Sequence, residues 1–387
     1  MSVRGSQSRI DAYFQRFGFC GRQIDEPPAD GLGIIVVVPC FDEPDLLAAL
    51  ESLRACERPG RAVEIIVVVN SAVDAQTDLK ERNRKTAAQA REYAHVIHVP
   101  DLPPKHAGVG LARKIGMDEA LRRLSKDGII VNFDADCRCD PNYLQAIEEH
   151  FATRPETPGC SIYFEHPPGA ADRYELHLRY YVQALRHARH PYAFHTIGSC
   201  MAVRSNVYME QGGMNKRKAG EDFYFLQKVV ALGNYTDLLT TRVIPSARES
   251  ARVPFGTGNA VTDQRRGKLA LTYPFEAFED LKRFFENVKH PPPPMRPFLD
   301  AQNFDQKLRE LRENTATDET CRDRFFRWFN GFMAMKWIHF ARDHLYGARP
   351  VPDEARRLPD LPKAADLLSA YRQLQKTQIY NPTRRHQ

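Results

Sequence analysis

The sequence has no long hydrophobic run. No stretch approaches the roughly 18 to 20 consecutive apolar residues that a membrane-spanning helix requires. The first residues include Arg4, Arg9 and Asp11, where a secretory signal would have an apolar core. These absences argue against an integral membrane protein and a secreted one. We therefore expect a cytoplasmic protein, and a peripheral contact with the inner face of the membrane stays open.

The cysteines lack the spacing of a disulfide framework or of a zinc site. All eight are scattered along the chain, mostly in apolar segments, which predicts reduced thiols that pack in the interior. Cys137 and Cys139 are too close for a zinc knuckle, and no second pair follows. A strong charge of one sign is also missing, since the net charge is +6. This mild excess is compatible with anionic substrates, and it is too diffuse to indicate nucleic-acid binding.

What the sequence does contain is a series of apolar segments of strand length. Residues 33–39, 63–69 and 129–133 are continuous runs rich in Val and Ile, a pattern typical of strands covered on both faces. Helical segments separate these runs, and such an alternation requires βαβ crossovers. The predicted fold class is therefore α/β, with a mostly parallel, Rossmann-like sheet that is flanked by helices.

The composition changes after about residue 275, where helical segments continue without buried-strand runs. We predict an N-terminal leader over residues 1–30, a catalytic domain over 31–270 and a helical C-terminal extension over 271–387. The aromatic-rich stretch 325–337 has two interpretations. It could pack in a core, or its aromatic side chains and neighbouring basic residues could contact a membrane surface or a partner.

Two aspartates follow the apolar run 129–133. Ligands of open α/β sheets bind at the carboxyl ends of the strands, and carboxylates suit a hard divalent cation that shares phosphate oxygens. Asp134 and Asp136 therefore predict a site for Mg²⁺ or Mn²⁺ and a nucleotide diphosphate. The alternative is a polar turn after a strand, because the motif is short and common.

Other polar groups have weaker signals. Lys105, His106 and Arg113 precede or begin a predicted helix and could face a diphosphate or simply solvent. His195 could bind the metal or the acceptor, or be a buried histidine of the core. A glycine-containing loop is a candidate lid over the diphosphate or an ordinary turn, and its polar residues are Arg248, Arg252, Thr257 and Asn259.

The order and spacing of these segments, over about residues 33–260, resemble glycosyltransferases of family 2. Residues 38–43 (Val-Pro-Cys-Phe-Asp-Glu) are similar to the family's strand and acidic turn, which packs on the nucleotide base. Residues 110–116 (Gly-Leu-Ala-Arg-Lys-Ile-Gly) resemble its Gly-x-Ala-Arg-Asn-x-Gly segment, whose arginine approaches the diphosphate. Asp134 to Asp136 match its metal-binding Asp-x-Asp motif, residues 198–204 resemble its acceptor-side segment, and Glu221-Asp222 match its Glu-Asp pair.

The resemblance implies the GT-A fold and sugar transfer with inversion from a UDP- or GDP-sugar. It implies that a divalent cation, Mn²⁺ or Mg²⁺, is held by Asp134 and Asp136, and that Asp222 is the catalytic base. Capping of a helix is the alternative role for Asp222. The residues that the resemblance assigns to the donor and its cation are Pro39, Phe41, Glu43, Asn70, Arg113, Asp134, Ala135 and Asp136.

The sequence departs from the family pattern at two places. Residues 69–72 are Val-Asn-Ser-Ala where members often have an Asp-Asp-Gly-Ser turn after the second strand, so the base of the donor stays open. The Gln-x-x-Arg-Trp motif of processive synthases is missing, which predicts a nonprocessive enzyme. The acceptor is a glycan, a lipid-linked compound or a small molecule.

Two further functions remain as alternatives. A nucleotidyltransferase would carry a Gly-rich basic loop after the first strand, whereas residues 40–44 are Cys-Phe-Asp-Glu-Pro. A nucleotide-sugar-binding protein without turnover would lack the base, whereas Asp222 is present. The leading prediction is a metal-dependent, nonprocessive, inverting glycosyltransferase of the hexosyltransferase type.

Overall fold

The computed structural model describes residues 3–249, 256–378 and 380. These residues form two compact units. The first unit consists of described residues from Met1–Pro167 and Thr196–Ser246, and the second of described residues from Pro168–His195 and Ala247–Gln387.

The strands in the described part of the chain make one large sheet and one small one. The strands are β1 Leu32–Cys40, β2 Ala62–Ala72, β3 His95–Leu102, β4 Ile129–Asn132, β5 Arg138–Cys139, β6 Gly159–Phe164, β7 Met201–Arg204, β8 Thr236–Ile244, β9 Leu271–Thr272 and β10 Arg349–Pro350.

Most of the remaining described residues are helical. The α-helices are α1 Val3–Phe17, α2 Leu46–Arg54, α3 Thr77–Ala90, α4 Val109–Arg123, α5 Tyr143–Thr153, α6 Asp172–His187, α7 Ser205–Glu210, α8 Glu221–Val230, α9 Thr257–Arg265, α10 Phe275–Glu286, α11 Arg296–Ala301, α12 Phe304–Glu313, α13 Asp318–Trp328, α14 Gly331–Ala341, α15 Val351–Ala355 and α16 Leu367–Thr377, with a 3₁₀ turn at Pro293–Met295 and a π turn at Arg342–Tyr346.

The first unit is built on the eight-stranded sheet, whose order is β3-β2-β1-β4-β7-β6-β8-β5. Strands β3, β2, β1 and β4 are parallel to one another, and β7 is antiparallel to both of its neighbours. In the parallel half, Val36 lies opposite Ile65 of β2 and Val131 of β4. The apolar runs are central strands because both of their faces are covered, and β1 is buried from Gly33 onward. The predicted α/β class is confirmed.

Helix α4 is buried almost along its whole length. Gly116 lets it lie close to the sheet, because a Cβ atom there would be 2.4 Å from Cγ1 of Val37. A buried charge is costly unless it is paired. Arg123 accordingly contacts Glu64 at 2.6 Å, and Lys114 contacts Asp118 at 3.0 Å.

The predicted leader takes part in this burial. The hydroxyl groups of Tyr13, on α1, and Tyr208 each donate a hydrogen bond to Oδ1 of Asp118, both at 2.7 Å. The guanidinium group of Arg123 donates to the backbone oxygen of Glu26 at 2.8 Å. The leader is therefore packed on the α/β unit through α4.

The second unit has an aromatic core. Phe284 and Phe329 are fully buried with centroids 5.4 Å apart, and Trp337 is also fully buried. The indole nitrogen of Trp337 donates to the backbone oxygen of Ala277 at 2.9 Å, so its polar group is satisfied. The sequence left two interpretations of stretch 325–337. Its residues Phe325, Phe326, Phe329 and Trp337 are buried in this core, which agrees with core packing.

The structure adds detail at two elements. Strand β8 spans Thr236–Ile244. Helix α6, which the sequence placed in the catalytic domain, belongs to the second unit. The predicted domain boundaries at residues 30 and 270 remain predictions. No helix in the described ranges is long and apolar enough to cross a membrane.

Candidate active site

The candidate site begins where β4 ends. The strand ends at Asn132, the backbone NH of Phe133 donates to the backbone oxygen of Val37 on β1 at 3.0 Å, and Asp134 follows. The NH of Cys137 donates to the backbone oxygen of Asp134 at 3.0 Å, which closes a turn over the Asp-x-Asp segment. Within that turn Ala135 is buried, and Asp134 and Asp136 are half-buried. The two carboxylates therefore remain partly accessible at the carboxyl end of a central strand.

Arg113 connects this turn to a distant part of the chain. It lies on the second turn of α4, and its side chain is only 3% exposed. Its Nη2 atom donates to Oδ1 of Asp134 at 2.7 Å, and its Nε atom donates to Oε1 of Glu221 at 2.9 Å. Nη1 is buried without a hydrogen-bond partner among the described residues. One guanidinium group therefore joins the segments of Asp134 and Glu221, and its Nη1 donor has no partner among the described residues.

Asp222 lies next to this ion pair at the start of α8. Its Oδ1 accepts a hydrogen bond from the backbone NH of Phe223 at 2.7 Å. Burial, followed by the neighbouring carboxylate of Glu221, raises the pKa of Asp222 to about 7, although Arg113 opposes the shift. The position at a helix N-terminus also favours the ionised form. Asp222 is thus a carboxyl group that changes charge near neutral pH.

Close packing at a glycine brings the three elements together. A Cβ atom on Gly198 would be 2.5 Å from Nη2 of Arg113 and 3.1 Å from Oδ2 of Asp222. Glycine is therefore the residue that allows Arg113 and Asp222 to approach the same backbone. At Gly110, a Cβ atom would be 2.2 Å from the backbone oxygen of Arg217, so the start of α4 also packs tightly on the segment that precedes α8.

The turn after β1 contains the residues that were predicted to contact a base. Pro39 is the penultimate residue of β1, and Phe41 is 37% exposed. Asp42 has a positive φ of 47° and pairs with Arg82 at 2.7 Å. Glu43 is buried, and its Oε1 atom accepts a hydrogen bond from the NH of Asp45 at 2.9 Å.

Asn83 links this turn to Asn70. Its Oδ1 accepts from the backbone NH of Asp42 at 2.9 Å, and its Nδ2 donates to the backbone oxygen of Asn70 at 3.3 Å. Asn70 itself lies in β2 and is 3% exposed. The sequence analysis did not identify Asn83, because an asparagine inside a charged helix carries no signal of its contacts.

The donor atoms for a metal are few. No group of three or more His, Cys, Asp or Glu side chains that could hold an ion is found where the structure is described. A cation of the Mg²⁺ type is commonly bound by one or two carboxylates together with waters and substrate phosphates. The pair Asp134 and Asp136, with the unpartnered Nη1 donor of Arg113 nearby, fits such a shared site and does not form a complete protein cage.

Comparison with known proteins finds a family model that matches part of the chain. Residues 35–212 match the sequence model described as Glycosyl transferase family 2. The match covers a little under half of the chain. The resemblance predicted from the sequence is thereby confirmed. A search of curated proteins finds no match.

The solved structures that are similar to this chain have low sequence identity to it. TarS 1-349 of S. aureus in complex with UDP-GlcNAc is 16% identical with a TM-score of 0.42, over 57% of this chain and 60% of that one. The mannosyltransferase PcManGT of Pyrobaculum calidifontis, in complex with GDP-Man and Mn²⁺, is 15% identical with a TM-score of 0.41, over 89% and 96% of the two chains. The resemblance to the family therefore rests on the sequence match over residues 35–212.

The remaining candidate residues are divided between the two units. His195 is a residue of the second unit, where burial and the neighbouring Arg179 and Arg186 lower its pKa well below the usual range. Arg248, Thr257 and Asn259 belong to the second unit as well, while Arg252 lies outside the described residues. In the first unit, Lys105 is exposed and His106 is half-buried before α4.

One charged neighbour was missed. Glu221 was noted only as half of a motif, and the structure gives its buried carboxylate a 2.9 Å contact with Arg113. A pair of adjacent acidic residues after a glycine is a weak signal, because acidic residues are common in the first turn of helices. The sequence did not show that Arg113 is buried and contacts Glu221, and this contact is what distinguishes Glu221 from other acidic residues at helix starts.

Proposed function

We propose that this protein is a glycosyltransferase, which transfers a sugar from a nucleoside-diphosphate donor to an acceptor hydroxyl in one inverting, metal-dependent and nonprocessive step. The observation that carries the proposal is the position of Arg113. It contacts Asp134 after β4 and Glu221 beside Asp222, so two acidic segments that are far apart in sequence share one site. Inverting transfer requires a donor side and an acceptor side close together, which this arrangement supports.

Asp222 is assigned the role of general base. An acceptor hydroxyl must lose its proton as the oxygen attacks the anomeric carbon, and a base acts best when its pKa lies near the working pH. The pKa of Asp222, raised to about 7 by burial and by Glu221, suits that task. The acceptor oxygen attacks the anomeric carbon from the face opposite the diphosphate, whose bond to that carbon breaks, while the proton passes to Asp222. A single displacement of this kind inverts the anomeric configuration.

Asp134, Asp136 and Arg113 are assigned to the diphosphate. A bound divalent cation, Mn²⁺ or Mg²⁺, would supply charge stabilisation for the diphosphate leaving group. The two carboxylates would hold the cation, and the free Nη1 of Arg113 would donate to a phosphate oxygen. Ala135 keeps the turn compact through its buried side chain.

The turn after β1 is assigned to the nucleoside. Phe41 has enough exposed ring to cover a base, and Pro39, Glu43 and Asn70 fix the turn and the strand ends beneath it. These groups do not distinguish uracil from guanine. The proposal therefore includes both UDP- and GDP-sugars as donors, with a glycan, a lipid-linked compound or a small molecule as acceptor.

One experiment tests these assignments. The protein is incubated with Mn²⁺ or Mg²⁺ and a panel of UDP- and GDP-sugars, with and without candidate acceptors, and both nucleoside diphosphate and pyrophosphate are measured. We expect the wild type to release nucleoside diphosphate. This release should disappear when EDTA removes the cation, and it should disappear in the Asp136→Ala variant. Asp222→Asn should lower kcat by about 10²- to 10⁴-fold, the usual contribution of a general base.

Asp127→Asn is the matched control, because this carboxylate is exposed in a loop of the same unit. It should retain the wild-type rate. Release of pyrophosphate would instead identify a nucleotidyltransferase, and binding of the donor without release would identify a protein that has lost turnover. Retention of the anomeric configuration in the product would refute the single displacement.

A further inference from the structure

A pair of cysteines in the first unit is close enough to react. The Sγ atoms of Cys56 and Cys139 are 3.5 Å apart, and both thiols are free. A disulfide bond is about 2.05 Å long. The sulfur atoms therefore need to approach by only about 1.5 Å, which side-chain rotation and small backbone shifts can supply.

The surroundings hold the two thiols in this position. Oγ of Ser52, on α2, accepts a hydrogen bond from the NH of Cys139 at 3.0 Å and lies 3.5 Å from its sulfur. The NH of Glu57 donates to the backbone oxygen of Pro141 at 2.8 Å. The segment after α2 and the segment around β5 are thus tied together on both sides of the cysteine pair.

The two thiols differ in reactivity. Hydrogen bonding from Cys139, together with the NH groups of Tyr143 and Leu144 at the start of α5, lowers the pKa of Cys56 although burial opposes the shift. The contact with Cys56, followed by burial, raises the pKa of Cys139. The thiolate is the nucleophile in disulfide exchange, and of the two cysteines Cys56 is the one that lines a cavity. This position, with which the direction of the pKa shift agrees, makes Cys56 the attacking group and Cys139 the group that acts second.

Cys56 also lines a cavity of about 810 Å³. Basic side chains predominate in its wall. Among the described lining residues the carboxylates are Asp30 and Glu64, the latter paired with Arg123 at 2.6 Å. The basic residues of the wall are Arg54, Arg58, Arg61, Arg91 and His95, of which Arg61 pairs with Glu148. The cavity therefore offers space and complementary charge to a small disulfide that carries carboxylates, next to Cys56, which is 7% exposed.

We propose that Cys56 is a thiol-disulfide exchange site for an anionic small-molecule disulfide, and that Cys139 resolves the product. The Cys56 thiolate attacks one sulfur of the disulfide, forms a mixed disulfide and releases one thiolate. Cys139 then attacks Cys56 Sγ, its proton passes to the second departing thiolate, and a Cys56–Cys139 disulfide forms. The two protein thiols are oxidised by two electrons, and the small disulfide is reduced to two thiols.

Mass spectrometry tests this chemistry without any assay of sugar transfer. The reduced full-length protein, freed of reductant, is incubated with oxidised glutathione and analysed as intact protein and as peptides. The wild type should lose the mass of two hydrogen atoms and yield linked Cys56 and Cys139 peptides. Cys139→Ser should stop at one glutathionyl group on Cys56, and Cys56→Ser should leave Cys139 as a thiol.

Cys321→Ser is the matched control, since this half-exposed thiol belongs to the second unit and should not affect the reaction. Cystamine, a cationic disulfide, should react with Cys56 about tenfold more slowly than oxidised glutathione, because the basic wall favours an anion. Equal rates would contradict the cavity as the entrance. Wild-type protein that keeps both thiols, or a Cys139→Ser variant modified at Cys20 or Cys321 before Cys56, would overturn the proposal.

Discussion

Each unit contains a buried arginine, and the two have different surroundings. In the second unit, Arg179 is fully buried and donates to Oε1 of Glu175 at 2.8 Å, while Arg372 donates to the same carboxylate at 2.7 Å. In the first unit, Arg113 pairs with a carboxylate, Asp134, whose side chain is 36% exposed. The closed network stabilises a core, whereas the open one keeps charge where a ligand can reach it.

The comparison separates stability from function. A buried ion pair is weak evidence for stability by itself, but removal of one partner leaves a buried charge that costs several kcal/mol. Arg113 and Arg179 are both buried and paired with a carboxylate, so the loss of either partner should have this cost. Only Arg113 also has a buried donor without a partner in the described ranges and a neighbour, Asp222, that titrates near neutrality. Substitutions at the two positions should therefore affect different measurements.

The largest effect is expected at Arg179. Arg179→Met leaves the fully buried Glu175 with Arg372 as its remaining guanidinium partner, which should lower the free energy of unfolding by about 3–5 kcal/mol. Urea denaturation followed by tryptophan fluorescence measures this loss, because both tryptophans of the chain, Trp328 and Trp337, belong to the second unit. Arg312→Met, at an exposed position, should change stability by less than about 0.5 kcal/mol. Equal losses in the two variants would contradict a stabilising network.

The next effect concerns Asp222 and pH. Its pKa is raised from 3.8 to about 7 on folding, so the protonated form is the one that the folded state favours. The stability that this group contributes is fully present below pH 3.8 and is lost as the pH rises towards 7. One pKa unit corresponds to about 1.4 kcal/mol, so Asp222→Asn should be more stable than the wild type at pH 8 by a few kcal/mol.

The same titration predicts the pH dependence of activity. If Asp222 is the base, kcat/KM should fall about tenfold per pH unit below pH 7 and level off above it. Thermal and urea unfolding at pH 4 and pH 8 measure the stability difference, and steady-state kinetics between pH 5 and 9 measure the rate. A rate that does not depend on pH between 5 and 7 would remove Asp222 from the role of base.

A smaller effect is expected at Arg113. Arg113→Lys keeps the charge, but one ammonium group cannot reproduce the two-sided contact with Asp134 and Glu221. A hydrogen bond between charged groups contributes about 1.5–3 kcal/mol, so kcat/KM should decrease about tenfold to a hundredfold. Nucleoside diphosphate release measures this decrease. Arg179→Lys is the matched variant, and it should lower stability while the folded protein keeps its kcat/KM.

The smallest effect is expected at Gly198. Gly198→Ala places a Cβ atom 2.5 Å from Nη2 of Arg113, which is held by two ion pairs and cannot move freely. A displacement of well under 1 Å in the site should lower kcat/KM by up to about tenfold. Gly21→Ala is the control, since a Cβ atom there meets nothing within 4 Å. Identical kinetics for both variants would show that the packing at Gly198 is not important for transfer.

The sequence predicted the parallel half of the sheet well, for a physical reason. Strands β1, β2 and β4 are largely buried, and each contains at least three consecutive Val or Ile residues. Strand β8 is only partly buried, and residues such as Thr236, Asp237 and Arg242 obscure its pattern. The antiparallel insertion of β7 and the strand order depend on tertiary packing, which no local pattern encodes.

The candidate site was predictable as residue types and not as contacts. Asp134, Asp136 and Asp222 are visible because carboxylates at strand and helix ends suggest chemistry. The ion pairs of Arg113 depend on the approach of α4 to α8, which requires Gly110 and Gly198 at the points of contact. A glycine in a loop has many explanations, so the sequence could not indicate that these two bring the charges together.

The hydrogen bond between Tyr13 and Asp118 has a practical consequence for protein engineering. A shortened protein that starts at residue 31 would follow the predicted domain boundary, yet it would remove a hydroxyl group from the interior of the remaining unit. Asp118 would then open to water together with its partner Lys114, which directly follows Arg113 on the same helix. Trimming the first helix would thus disturb the helix that carries the site's arginine.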